Sequence, residues 1–150
     1  MYTRNTIHIL FAALAALLSG CHFNSSRENA SGDKADAMLV TGKFYELMKN
    51  NKAEDATKLF SKKLLESENG SKLTHVFSKT LNECGDIIGD SLIACQSIVV
   101  EGTDPRSEYL LVYYIKRSIR PTTETFSMTK ENDSIKIVGY KVNMDLMGEP

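Results

Sequence analysis

Along residues 37–81 the apolar positions recur every three or four residues, and beyond Glu83 they recur every two. Ala37, Val40, Phe44, Leu47 and Met48 fall on one stripe of a helix, with Asp33 or Asp36 placed to cap its start. The polar run "KNNK", residues 49–52, ends that stripe. Ala53, Ala56, Leu59, Phe60 and Leu64 form a second, which "SENGS", residues 67–71, breaks in turn. Leu73, Val76, Phe77, Thr80 and Leu81 make a third, so three helices are expected before any strand. Residues 91–101, "SLIACQSIVVE", and 107–117, "SEYLLVYYIKR", are apolar on both faces at their centres, as buried strands are. "TTETFSMTK", residues 122–130, alternates strictly. Glu124, Phe126 and Met128 share one face, and Thr123, Thr125, Ser127 and Thr129 share the other, which is expected to be wet. "ENDS" offers a tight polar turn into a last strand, residues 134–144. Helices followed by antiparallel strands predict one α+β domain over residues 37–150.

The N-terminus follows another pattern. Arg4 precedes "IHILFAALAALL", residues 7–18, an apolar run shorter than the roughly 18 residues that span a bilayer permanently. This is the pattern of a signal peptide, residues 1–20. It ends in Leu18-Ser19-Gly20-Cys21, which resembles the lipobox of bacterial lipoproteins: an aliphatic residue, two small residues that leave the backbone open to a peptidase, then cysteine. The resemblance implies that Cys21 receives a diacylglyceryl group, that the mature chain begins there, and that its freed amine is acylated. Several acyl chains, at about 0.8 kcal/mol per buried methylene, make a permanent membrane anchor. His22 stands where enterobacterial lipoproteins kept in the inner membrane commonly carry Asp. The resemblance thus implies the outer membrane, facing the periplasm. Residues 22–36, "HFNSSRENASGDKAD", offer only Phe23 as a bulky group to bury and are expected to form a disordered tether.

Removal of the signal leaves about 130 of the 150 residues, and the full chain is 42% apolar, enough for one core. The formal net charge is −1, with Lys and Arg scattered along the chain, so nothing supports nucleic-acid binding. With Cys21 assigned to lipid, Cys84 and Cys95 remain in an oxidising compartment, and a disulfide between them is expected. A hairpin loop centred on Gly89-Asp90 would set Ile88 against Ser91 and Cys84 against Cys95, a hydrogen-bonded pair with Cα atoms about 5.5 Å apart. Gly85 would supply the bulge such a bridge needs. The bridge would contribute roughly 3 kcal/mol. A C-x-x-C redox spacing is absent. A zinc site would have to recruit His75 and a fourth ligand, so no metal is expected. Nucleophile elbow and phosphate loop are both missing, and no cofactor is expected.

Two stretches carry a further resemblance: "FYELMKNNKAEDATKLFSKKLL", residues 44–65, and "ETFSMTKENDSIKIVGYKV", residues 124–142. They are similar to the opening helix pair and the closing hairpin of small NTF2-like, or cystatin-like, lipoproteins of unknown function, and the likeness covers residues 35–145. Ile135-Lys136-Ile137 stands where those hairpins commonly carry Trp-Lys-Ile. The resemblance implies a curved antiparallel sheet wrapped about a long helix. It also implies an open-ended cone, which relatives use for catalysis, ligand binding or dimerisation. Enzymes of this fold set an acidic base and a tyrosine inside the cone. Glu124 is the carboxylate that alternation turns toward Phe126 and Met128; Tyr109 and Tyr113 share a face of the neighbouring strand, and Tyr45 lies on the first helix. The blander expectation is that Glu124, close after Pro121, reaches solvent at the strand end, that the tyrosines pack with wet hydroxyls, and that His75 lies on the surface. Two classes of function remain. One is a membrane-anchored, non-enzymatic binding or accessory module for a protein partner or a small apolar ligand. The other is a small pocket enzyme with Glu124 as general base.

Overall fold

The computed structural model describes residues 25–28, 31–103 and 105–144. The signal segment and Cys21 lie outside the described residues. The fold is α+β: strand β1 (Ser25–Glu28), helices α1 (Ser31–Lys49), α2 (Ala53–Thr57), α3 (Lys62–Leu65), α4 (Glu68–Ser71) and α5 (Leu73–Cys84), then strands β2 (Ile87–Glu101), β3 (Arg106–Arg117), β4 (Thr122–Glu131) and β5 (Ser134–Asn143). The five strands make one antiparallel sheet in the order β1-β2-β3-β4-β5. Among the described residues no helix is long and apolar enough to cross a membrane.

The stripe on α1 is buried as its spacing predicts, with Ala37 and Phe44 in the core beside Thr41 and Tyr45. The helix starts earlier than expected, at Ser31, so Asp33 stands in its first turn, favourably near the positive end of the helix dipole. Asn51, at φ 58°, ends it in the left-handed conformation that asparagine tolerates. The second stripe buries Ala56 and Phe60 but does not form one helix. Instead, Ile137 N–H donates to the Leu59 carbonyl at 3.0 Å and Ser61 N–H donates to the Ile137 carbonyl at 2.9 Å, which pulls residues 59–61 out of helical geometry. This parallel bridge covers part of the outer edge of β5, an edge that would otherwise offer unpaired backbone groups. Ser61 then caps α3 by accepting from Leu64 N–H at 3.1 Å. The "SENGS" breaker is itself a short helical turn, α4.

Two expectations about the chain path are corrected. Residues 25–28, expected to be part of a loose tether, form an edge strand from Ser25 opposite Glu101 to Glu28 opposite Ile98. Gly89 and Asp90 do not turn; they continue β2, opposite Lys116 and Ile115. The glycine that turns the chain is Gly85, with φ 81°, where α5 ends and its N–H donates to the Leu81 carbonyl at 2.8 Å. The β4–β5 turn is as expected: Asn132 (φ 46°) and Asp133 (φ 63°) are two left-handed residues, the requirement of a tight hairpin.

One face of the sheet packs on the helices. Tyr109, Leu111, Tyr113, Ile115 and Arg117 of β3 and Thr122, Glu124, Phe126 and Met128 of β4 all point to it and are buried. Phe44 sits at the centre, its ring 5.2 Å from Phe126, 5.3 Å from Tyr140 and 5.7 Å from Phe77. The opposite face carries the half-buried row Thr123, Thr125, Ser127 and Thr129 beside exposed Leu110 and Tyr114.

Candidate functional site

The polar centre of the molecule is built by the β3–β4 hairpin. Its register sets Ile115 opposite Thr122 and Tyr113 opposite Glu124, so Arg117, at the end of β3, lies on the same inward face as Thr122 and Glu124. Arg117 Nη2 donates to Glu124 Oε1 at 2.7 Å, and the two side chains are 5% and 0% exposed. Arg117 Nη1 donates to the Gly85 carbonyl at 3.0 Å, which ties the helix-ending glycine to the ion pair. Arg117 Nε donates to Thr122 Oγ1 at 3.2 Å, and the Thr122 hydroxyl donates onward to Glu124 Oε1 at 3.0 Å. The other carboxylate oxygen, Oε2, accepts from the Tyr140 hydroxyl at 2.7 Å and the Tyr45 hydroxyl at 3.2 Å.

Both oxygens of Glu124 are thus occupied, each by two donors. This saturation is what allows a charge pair to exist in a dry core, since desolvating either ion alone costs several kcal/mol. Burial, and after it the Glu124 carboxylate, pushes the hydroxyls of Tyr45 and Tyr140 far above the ordinary tyrosine range. They remain O–H donors and cannot act as bases. Burial also raises Tyr113, whose hydroxyl is within hydrogen-bond distance of Thr41 Oγ1, at 2.7 Å, rather than of Glu124.

The structure brings together some of the residues singled out from the sequence. Tyr45 donates to Glu124 and packs edge-on against Tyr113, which lies opposite Glu124 on β3, and against Phe126, with ring centres 5.3 Å and 5.7 Å away. Tyr109 and Met128 are buried neighbours farther along the sheet and take no part in the polar centre. The expectation that Glu124 reaches solvent is overturned: Arg117, Thr122 and two tyrosines enclose it completely. Arg117, Thr122, Tyr140 and Thr41 were not singled out from the sequence. Parity alone would have found the first, because Arg117 is two and four residues beyond Ile115 and Tyr113 on an alternating strand.

A cavity of about 310 Å³ opens beside this centre. Met48, Phe77, Leu81 and Ile87 give it apolar walls, and Arg117 and Tyr140 stand on its polar side. It falls at the small end of the range of ligand pockets. Lys49, on its rim, is paired with Asp90 at 2.7 Å, which pins the end of α1 to β2. Arg117 uses three N–H groups in the bonds above, of the five a guanidinium has.

The cysteines are separated. Cys84 is buried in the last turn of α5, and Cys95 is half-buried on β2 opposite Leu111. Without the Gly89-Asp90 hairpin, nothing in the register sets Cys84 opposite Cys95, whose strand partner is Leu111. A disulfide needs Cα atoms within about 7 Å. The geometric basis for the expected bridge is therefore gone. His75 is exposed on α5.

In comparisons with known proteins, no protein family, no characterised protein and no solved structure matches this chain.

Proposed function

We propose that this chain is a lipid-anchored, non-enzymatic binding module of a bacterial cell envelope, held through Cys21 in the outer membrane and facing the periplasm. The "LSGC" lipobox supports the anchor, and the order of helices followed by an antiparallel meander supports an NTF2-like cone. The observation that carries the binding reading is the contrast between two groups of one ion pair. Glu124 is sealed, with both oxygens saturated, so no substrate atom can approach it within the roughly 3 Å that proton abstraction needs. Arg117, its partner, and Tyr140 border a cavity with apolar walls. A small, mainly apolar molecule with a hydrogen-bond-accepting head suits that arrangement, its tail against Phe77 and Leu81 and its head toward Arg117. The enzyme alternative would need Glu124 presented to the cavity.

Hexanoate is a suitable water-soluble probe. On the lipidated protein in nanodiscs it should raise the melting temperature, and Ala53→Phe, which fills the cavity from its rim, should abolish the rise. Equal behaviour of the parent and the filled variant would defeat the ligand reading. Cys21→Ala should release the protein from membranes or leave it as an unprocessed precursor, and normal maturation of that variant would defeat the anchor.

A further inference from the structure

The strand β1 leaves very little of the expected tether free. Ser25 to Glu28 are paired with β2, and α1 begins at Ser31. At the surface, Arg27 pairs with Glu101, at 3.1 Å, and with Asp33, at 3.5 Å. Only residues 22–24 therefore separate Cys21 from the sheet. Four Cα steps reach at most about 14 Å in a fully extended chain.

We propose that β1 makes the domain stand on its membrane by one defined end, with the phospholipid headgroup layer as the partner of that end. The inference rests on lipidation at Cys21. The register identifies the end. Ser25 lies opposite Glu101, Val100 opposite Arg106, and Glu108 opposite Thr129, with the Asn132-Asp133 turn just beyond. One groove, of about 870 Å³, is lined by Arg27, Asp33, Glu101, Arg106, Lys130 and Asp133 and so gathers these segments at a single end of the molecule. Its lining carries both signs of charge, beside apolar Leu39, Val99 and Ile135, and the mixed charges suit a layer of phosphates and ammonium groups. The Arg117 cavity belongs to the other end, where Ile87 pairs with Arg117. Fourteen residue steps of β2 lie between the two ends. The cavity mouth accordingly faces away from the bilayer, and a ligand enters it from the aqueous side.

The test uses the full lipidated protein on phospholipid vesicles carrying a headgroup-linked energy acceptor. A donor is attached at Asn132→Cys or at Ile88→Cys, in a Cys84→Ala, Cys95→Ser background. Flotation is scored first. Transfer should be several-fold more efficient from position 132 than from position 88. Ser26→Pro with Arg27→Glu puts a proline in β1 and sets like charge against Asp33 and Glu101; with β1 released, it should erase the difference while flotation persists. Flotation with equal transfer from both positions, or a difference that survives release of β1, overturns the orientation alone. Failure to float removes the anchor, and the proposal falls with it.

Discussion

Arg117 and Glu124 face each other at 2.7 Å across the β3–β4 hairpin, both buried, and the bonds that link Gly85, Thr122, Tyr45 and Tyr140 to the polar centre all end on one of them. The pair joins three parts of the chain. Gly85 connects it to the end of α5, Tyr45 connects it to α1, and Tyr140 connects it to β5. An isolated buried charge is far costlier than a paired one, so the two residues stabilise each other more than they stabilise the fold.

Removing one partner should expose that dependence. Glu124→Leu leaves a buried guanidinium and three hydroxyl donors without their acceptor, and Arg117→Met leaves a buried carboxylate; each should cost about 3–5 kcal/mol. The double variant should be less destabilised than the sum of the singles, because neither charge is then stranded. Urea denaturation of the four proteins measures this coupling. Strict additivity, or losses no larger than those of ordinary surface changes, would show that the pair is solvated.

Alkaline pH should strike the same centre. Tyr45 and Tyr140 have folded-state values raised by burial and then by Glu124. In the unfolded chain they ionise near the ordinary value of about 10. Their contribution is fully present below that pH and is lost as pH rises above it, by up to about 1.4 kcal/mol per pH unit for each tyrosine. The melting temperature should therefore fall steeply only above about pH 10. Tyrosinate absorbance from these two side chains should appear together with loss of the fold. Their ionisation in a still-folded protein near pH 10 would contradict the sealed geometry.

The limits of the sequence can be traced to particular residues. Alternation along β3 and β4 places Tyr113, Glu124, Phe126 and Met128 inside, and the structure agrees, because a long unbroken ladder keeps its period. Tyr140 escapes the same reasoning. A register shift between Ser127 and Met128 lets Ile137 and Tyr140 both turn inward, although they are three residues apart. A local bulge leaves no mark on hydrophobic period. Phe60 was legible as apolar, but its bridge to Ile137 is a tertiary backbone contact that breaks an otherwise good helix. Gly85 and Gly89 both signal a turn. Only the first has positive φ, and which one the chain uses depends on Arg117 and the 118–120 segment packing against the end of α5. The solvated Glu124 expected from proximity to Pro121 failed for a related reason: its compensating cation lies seven residues away on the neighbouring strand and becomes a partner only once the register is known.

The choice between Gly85 and Gly89 also decides the chemistry of the two thiols. If β2 begins at Ile87 with no turn at Gly89-Asp90, Cys84 stays at the end of α5 while Cys95 lies eight residues along the strand opposite Leu111, and the hairpin that would face the two thiols is absent. Material isolated under thiol-trapping conditions should carry no peptide linking Cys84 to Cys95, and a reducing agent should leave the melting temperature unchanged. Alkylation of the native protein should reach half-buried Cys95 first, and buried Cys84 only when α5 and β2 part during unfolding. A cross-linked Cys84–Cys95 peptide in a non-reduced digest would mean that the chain does turn at Gly89-Asp90. The first half of β2 could not then pair with β3 as described.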